Sequence, residues 1–138
     1  MELDEIDEMI LDNLEKDARI SYTTLAKKLG ISDVAVKKRI DKLIEQGVIE
    51  RFSISINKKK LGLSLRAFIL LKFIPSEASQ ISEELKKIEN VNSIFNTIGS
   101  YDVILELSCR DIEELKSLID EGIGNLRGVT DVRTLVVL

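Results

Sequence analysis

Lysine and arginine are the residues of this sequence best placed to do chemistry. Lys27 and Lys28 come just before the tetrad Leu29-Gly30-Ile31-Ser32; Lys37, Lys38 and Arg39 come just after it, and Arg51 follows. Cations at such spacing can hold phosphate oxygens, and their N–H groups can read base edges in a DNA groove. Other chemistry is closed to the chain. It contains no His, which excludes histidine acid–base catalysis and the His-containing triads. With one Cys and no His, a zinc site would have to be almost wholly carboxylate. No catalytic residue, metal or cofactor is therefore expected.

The bulk charge at first opposes nucleic acid. The chain has 138 residues, with 20 Lys+Arg against 24 Asp+Glu, a net charge of −4. That charge is unevenly spread. Residues 1–17 carry 1 basic and 8 acidic side chains, a net −7. Residues 18–60 carry 11 basic and 4 acidic, a net +7, and residues 61–138 carry 8 and 12, a net −4. The basic block contains every cation named above.

The elements that must position those cations can be read from spacing. Asp4 caps a helix with Ile6, Met9, Ile10 and Leu14 on one face. A second helix starts at Ser21 and ends at Gly30, a residue suited to positive φ. Ser32 caps a third helix carrying Val36, Ile40, Leu43 and Ile44, which ends at Gly47. Two helices joined by so tight a turn are a helix-turn-helix pattern, in which the second helix enters a major groove. Its apolar side is buried, so Ser32, Asp33, Ala35, Lys37, Lys38 and Asp41 fall on or near the open side. A three-helix bundle with a lysine-rich outer face is the plainer alternative, and the coincident +7 block argues against it. Val48 to Ile56 alternates apolar and polar residues and predicts a half-buried strand.

Asn57 to Ser64 reads as a basic hinge. Beyond it the pattern predicts a strand from Leu65 to Ile74, a helix capped by Ser76, and a strand from Val91 to Ile98. A two-residue type II′ turn at Gly99-Ser100 leads to a return strand, Tyr101 to Ser108. Asp111 and Glu114 cap a second helix, which Gly122 and Gly124 weaken, and Val129 to Leu138 is the last strand. The order β-α-β-β-α-β is a ferredoxin-like unit, so the chain is of the α+β class. The domain boundaries that follow are 1–56 for a winged helix-turn-helix domain (the motif over about 22–45), 57–64 for the hinge and 65–138 for the second domain. Phe68-Ile69-Leu70-Leu71 and Leu135-Val136-Val137-Leu138 are apolar on both faces, which predicts that the sheet packs against a second copy. The single Cys109 implies a reducing compartment. No apolar run approaches a membrane span and no signal peptide is evident, so a cytoplasmic location without a membrane partner is expected.

These motifs, in this order, resemble the Lrp/AsnC family of transcription regulators. The resemblance rests on Leu3-Asp4-x-x-Asp7, Asp17-Ala18-Arg19-Ile20-Ser21, Leu25-Ala26-x-x-Leu29-Gly30-Ile31-Ser32 and Val36-x-x-Arg39-Ile40-x-x-Leu43. Gly47-Val48-Ile49, Leu61-Gly62, Thr97-x-Gly99-x-Tyr101-Asp102, Gly128-Val129 and Thr134 extend it over nearly the whole chain. It implies a DNA-binding regulator that is a homodimer, tetramer or octamer, binds pseudo-palindromic double-stranded DNA and responds to an amino acid. Gly99-Ser100-Tyr101-Asp102 is then the candidate effector loop. Turn amides can take a carboxylate and Asp102 an ammonium, the two charges of every free amino acid; the alternative is a plain hairpin turn with Asp102 as a local cap. The family pocket also implies Asn96, Thr97 and Thr134. Arg39 has two readings, contact with DNA or a pairing with an acidic residue of the first helix. Sirohaem decarboxylases look like Lrp/AsnC proteins too, but they are expected to need histidine. An amino-acid-sensing module with a vestigial DNA domain is the other competitor, and the intact +7 block opposes it.

Overall fold

The computed structural model describes residues 2–138, in two compact units, 1–55 and 56–138. The first unit is three helices, α1 (Glu5–Lys16), α2 (Tyr22–Leu29) and α3 (Asp33–Glu45). Each begins at a side-chain cap. The Asp4 carboxylate accepts from the Asp7 N–H, the Ser21 hydroxyl from the Thr24 N–H and the Ser32 hydroxyl from the Ala35 N–H. Asp7 returns a bond to the Asp4 N–H, closing a reciprocal pair. One apolar stripe from each helix meets in a core of Ile10, Leu14, Leu25, Ala26, Val36, Ile40 and Leu43.

The predicted strand from Val48 to Ile56 does not form. The backbone has no ladder partner among the described residues, and Phe52, Ile54 and Ile56 are exposed, Ile54 to 80%. Alternation marks a segment that could bury one face, but it supplies neither the neighbouring strand nor the surface to bury it on.

The second unit is an antiparallel sheet of β1 (Leu65–Phe73), β2 (Val91–Asn96), β3 (Val103–Cys109) and β4 (Val129–Val136), in the order β2-β3-β1-β4. Helices α4 (Ala78–Lys86) and α5 (Ile112–Ser117) cover one face, over Ile69, Leu71, Leu105 and Leu107. This is the ferredoxin-like arrangement expected. Two local expectations fail. Ser76 caps nothing: Pro75–Glu77 forms a 3-10 turn and α4 starts after it without a side-chain cap. The proline fixes the turn that the hydroxyl was expected to start. The β2–β3 connection is not a two-residue II′ turn. Pairing closes where the Thr97 N–H meets the Asp102 carbonyl at 3.0 Å, leaving Ile98 to Tyr101 in a four-residue loop. Gly99 has φ +145°, outside the value a II′ turn needs. The weakened helix end expected at Gly122 and Gly124 is present: α5 passes into a π-helical turn at Leu118–Gly122 and a 3-10 turn at Ile123–Asn125.

The other face of the sheet carries no helix. Register places Phe68, Leu70, Ile104, Phe95 and Leu135 together on it, and Phe95 and Leu135 are exposed. Arg66 leans over the Phe68 ring at 5.1 Å and pairs with Glu106 at 3.2 Å.

Candidate nucleic-acid interface and effector loop

The α2–α3 junction holds one face of α3 open. Gly30 takes φ +69°, a conformation costly for other residues, and its N–H closes α2 on the Ala26 carbonyl. Two residues later Ser32 starts α3, so the helices turn sharply with no slack. Val36, Ile40 and Leu43 point into the core, and Lys37, Lys38 and Asp41 are exposed on the opposite side.

The predicted residues divide on that face. Lys38 is exposed and makes no ion pair among the described residues. The Lys37 ammonium meets the Asp41 carboxylate at 2.6 Å, and that hydrogen bond raises its pKa. Both groups are exposed, so the pair is weak enough to exchange for a phosphate. Ser32 and Asp33 are also exposed, each engaged at the helix start: the Ser32 hydroxyl accepts from Ala35 at 3.1 Å, the Asp33 carboxylate from Val34 at 2.9 Å. Ala35 is half-buried. Lys27 and Lys28 are exposed in the last turn of α2, with the Lys28 ammonium 3.5 Å from the Asn13 amide oxygen. Val34 was not foreseen. It is 73% exposed one turn before Lys37 and Lys38, and an apolar side chain there can pack on a thymine methyl. Exposed valine at the start of a capped helix was the available signal.

Two of the predicted cations lie beside α1. Arg39 takes its second alternative, because its Nη1 donates to Asp4 at 2.7 Å and to Asp7 at 2.9 Å. The guanidinium ties α3 to the start of α1 and holds the Asp4 carboxyl below its ordinary 3.8. Arg51 lines a groove of about 760 Å³ whose other wall includes Glu8, Asp12 and Glu15 of α1. Arg51 itself is exposed.

In the second unit the loop is held at three points. The Thr97 hydroxyl donates to the Tyr101 carbonyl at 2.7 Å. The Tyr101 hydroxyl donates to Asp131 on β4 at 2.9 Å, and partial desolvation with that bond raises its pKa. The Asp102 carboxylate accepts the Phe73 N–H at 3.0 Å, and its own N–H donates to the Leu71 carbonyl at 2.8 Å. The β1–β3 ladder ends at Leu71 and Val103, and Asp102 takes the next β1 amide on that side. Its partner is 29 residues away, so this bond is neither the ammonium contact nor the local cap named above. Gly99 and Ser100 are exposed at the tip, as is Asn96 at the end of β2. Thr134 lies elsewhere. It pairs with Ile69 on the edge strand opposite β2, three strand spacings, or ~14 Å, from the row of Asn96. One chain does not bring Asn96 and Thr134 together. Asp131, tied to the loop through Tyr101, is the residue sequence reasoning missed, because only the folded sheet makes it a neighbour.

Cys109 is buried, and burial, with Glu114 and Asp111 nearby, pushes its thiol up to about 11, which makes it inert as a nucleophile. Among the described residues no cluster of metal-ligating side chains occurs, and no helix is long and apolar enough to cross a membrane.

Comparison with known proteins agrees with both units. Residues 3–50 match a winged helix-turn-helix DNA-binding family, and residues 66–138 match the Lrp/AsnC ligand binding domain. The chain is 40% identical over 136 residues to the HTH-type transcriptional regulator LrpA of Pyrococcus horikoshii, covering 99% of this chain and 96% of that one. It superposes on AsnC of E. coli with a TM-score of 0.91 at 27% identity, covering 100% and 93% of the two chains. A transcriptional regulator of Neisseria meningitidis, solved as an L-Met complex, shares the fold with a TM-score of 0.94 at 22% identity, over 99% and 90% of the chains. The relatives are named regulators, not enzymes. With a capped, lysine-bearing α3 in one unit and an uncovered ferredoxin-like sheet in the other, the chain belongs to the Lrp/AsnC family of helix-turn-helix transcriptional regulators.

Proposed function

We propose that the chain binds pseudo-palindromic operator DNA as a homodimer, or as a tetramer or octamer of such dimers, in the cytoplasm, and that an amino acid modulates it. The observation that carries the DNA contact is the open face of α3. There Val34, Lys37 and Lys38 stand exposed, and Ser32 and Asp33 at its start, opposite a fully apolar buried side. Lys27 and Lys28 add phosphate contacts from α2. One protomer offers few such contacts; a two-fold dimer doubles them and sets two helices about one duplex turn apart. The uncovered sheet face supplies the dimer contact.

The effector reading rests on the loop. Exposed turn amides at Gly99 and Ser100 suit a carboxylate, with Asn96, Thr97 and Tyr101 around them, and Asp102 holds the loop in place. Because Thr134 lies apart from Asn96 within one chain, a pocket using both requires a second chain. The L-Met complex of the Neisseria protein supports an amino acid as the class of ligand.

The test is DNA affinity measured against salt. Each phosphate contact adds about 0.9 to the steepness of log affinity against log salt. A regulator of this kind gives a steep negative slope. A slope near zero contradicts the proposal and favours a sensing module.

A further inference from the structure

Three consecutive lysines fall outside every role assigned above. Lys58, Lys59 and Lys60 form, with Leu61, the 3-10 turn near the start of the second unit. Backbone bonds fix the turn: the Lys60 N–H donates to the Asn57 carbonyl at 3.1 Å, Gly62 to Lys59 at 3.1 Å and Leu63 to Lys58 at 3.0 Å. Lys59 and Lys60 are exposed and Lys58 is half-buried. Among the described residues none of the three makes an ion pair. In the same unit Arg66, Lys86, Lys87, Arg110 and Arg127 each have one, while Lys72, Lys116 and Arg133 also have none but stand singly along the chain. Residues 61–138 carry a net −4, so the turn is a cationic patch on an acidic body. No carboxylate in the fold uses these charges.

Chain length permits the contact. Lys58 follows Glu45, the last residue of α3, by thirteen residues. An extended residue spans at most ~3.6 Å, so the two Cα atoms are no more than ~47 Å apart. On a duplex rising 3.4 Å per step, that is about fourteen base pairs. Phosphates flanking a half-site held by α3 fall inside that limit.

We propose that the Lys58-Lys59-Lys60 turn is a second DNA contact, taking backbone phosphates that flank the half-site held by α3. Ammonium groups act there as point charges, so the contact adds affinity without reading sequence. It rests on the operator-binding reading above and extends the footprint beyond the helix-turn-helix.

The experiment compares the wild type with a Lys58→Gln, Lys59→Gln, Lys60→Gln variant. The probe is a duplex selected from a random pool by the wild type, titrated at several salt concentrations, with a scrambled duplex as control. At about 0.9 per phosphate, the slope becomes shallower by roughly 2 to 3 per bound protomer. The preference for selected over scrambled duplex stays unchanged, and arginine at the three positions restores the slope. Equal slopes for wild type and glutamine variant overturn the proposal and leave the α3 reading standing. A flat response from the wild type overturns both. If the triple variant melts early, Lys59→Gln alone must still reduce the slope by about 0.9, and no reduction overturns the proposal.

Discussion

At the scale of single residues, Asp102 separates two accounts of the effector loop. Its carboxylate accepts the Phe73 N–H, a bond that an amide oxygen can also make. If Asp102 acts by holding the loop, Asp102→Asn retains most of the amino-acid affinity and Asp102→Ala loses it. If Asp102 instead takes the ligand's ammonium, the two variants lose affinity alike. Calorimetry with a panel of amino acids decides between these outcomes. The sequence showed that Asp102 carried a charge next to a turn. It could not show which group the charge would meet, since Phe73 is 29 residues away and comes alongside only through the β1–β3 pairing.

Between elements, the decisive contact is the Arg39 fork that joins α3 to α1. It fixes the tilt of the DNA-facing helix against the rest of the unit. The Arg39 hydrogen bond, and then the Asp7 amide, lower the Asp4 pKa below 3.8. The unfolded chain therefore binds more protons in that range, so the stabilisation is present above about pH 4 and lost as pH falls through the folded pKa. Melting temperatures between pH 3 and pH 7 should fall at the acid end in the wild type. The Arg39→Ala variant should start lower and fall less steeply. A parallel pair of curves for wild type and Arg39→Ala would contradict the assignment. Helix starts were legible because a cap is a bond over three residues, as at Asp4, Ser21, Ser32 and Asp111. The strand expected over Val48 to Ile56 was not decidable, because its partner is not encoded in its own alternation. Arg39 was ambiguous for a related reason: it lies between the buried and open sides of α3, and only packing settles which way the side chain turns.

For the whole molecule, the uncovered sheet face and the divided effector residues point to the same requirement, a second chain. Replacing Leu70 by Asp puts a charge among Phe68, Ile104, Phe95 and Leu135. A charge buried in an apolar interface without a partner is strongly unfavourable. Leu70→Asp should shift the particle mass to that of a monomer in sedimentation, with the melting of the helix-turn-helix unit little changed. An unaltered oligomer would place the interface elsewhere. The net charge of −4 conceals this organisation: the basic block that contains the helix-turn-helix is a single segment between two acidic ones.

The most direct test of the central claim is operator affinity for the Lys37→Ala, Lys38→Ala double variant, measured with the oligomeric mass and melting temperature held as controls. Each lysine lost from a phosphate weakens binding and takes about 1 from the salt slope, so the double variant should bind more weakly, with a slope shallower by about 2 per protomer and assembly unchanged. Wild-type affinity in a correctly assembled double variant would contradict the assignment of α3 as the DNA-reading helix.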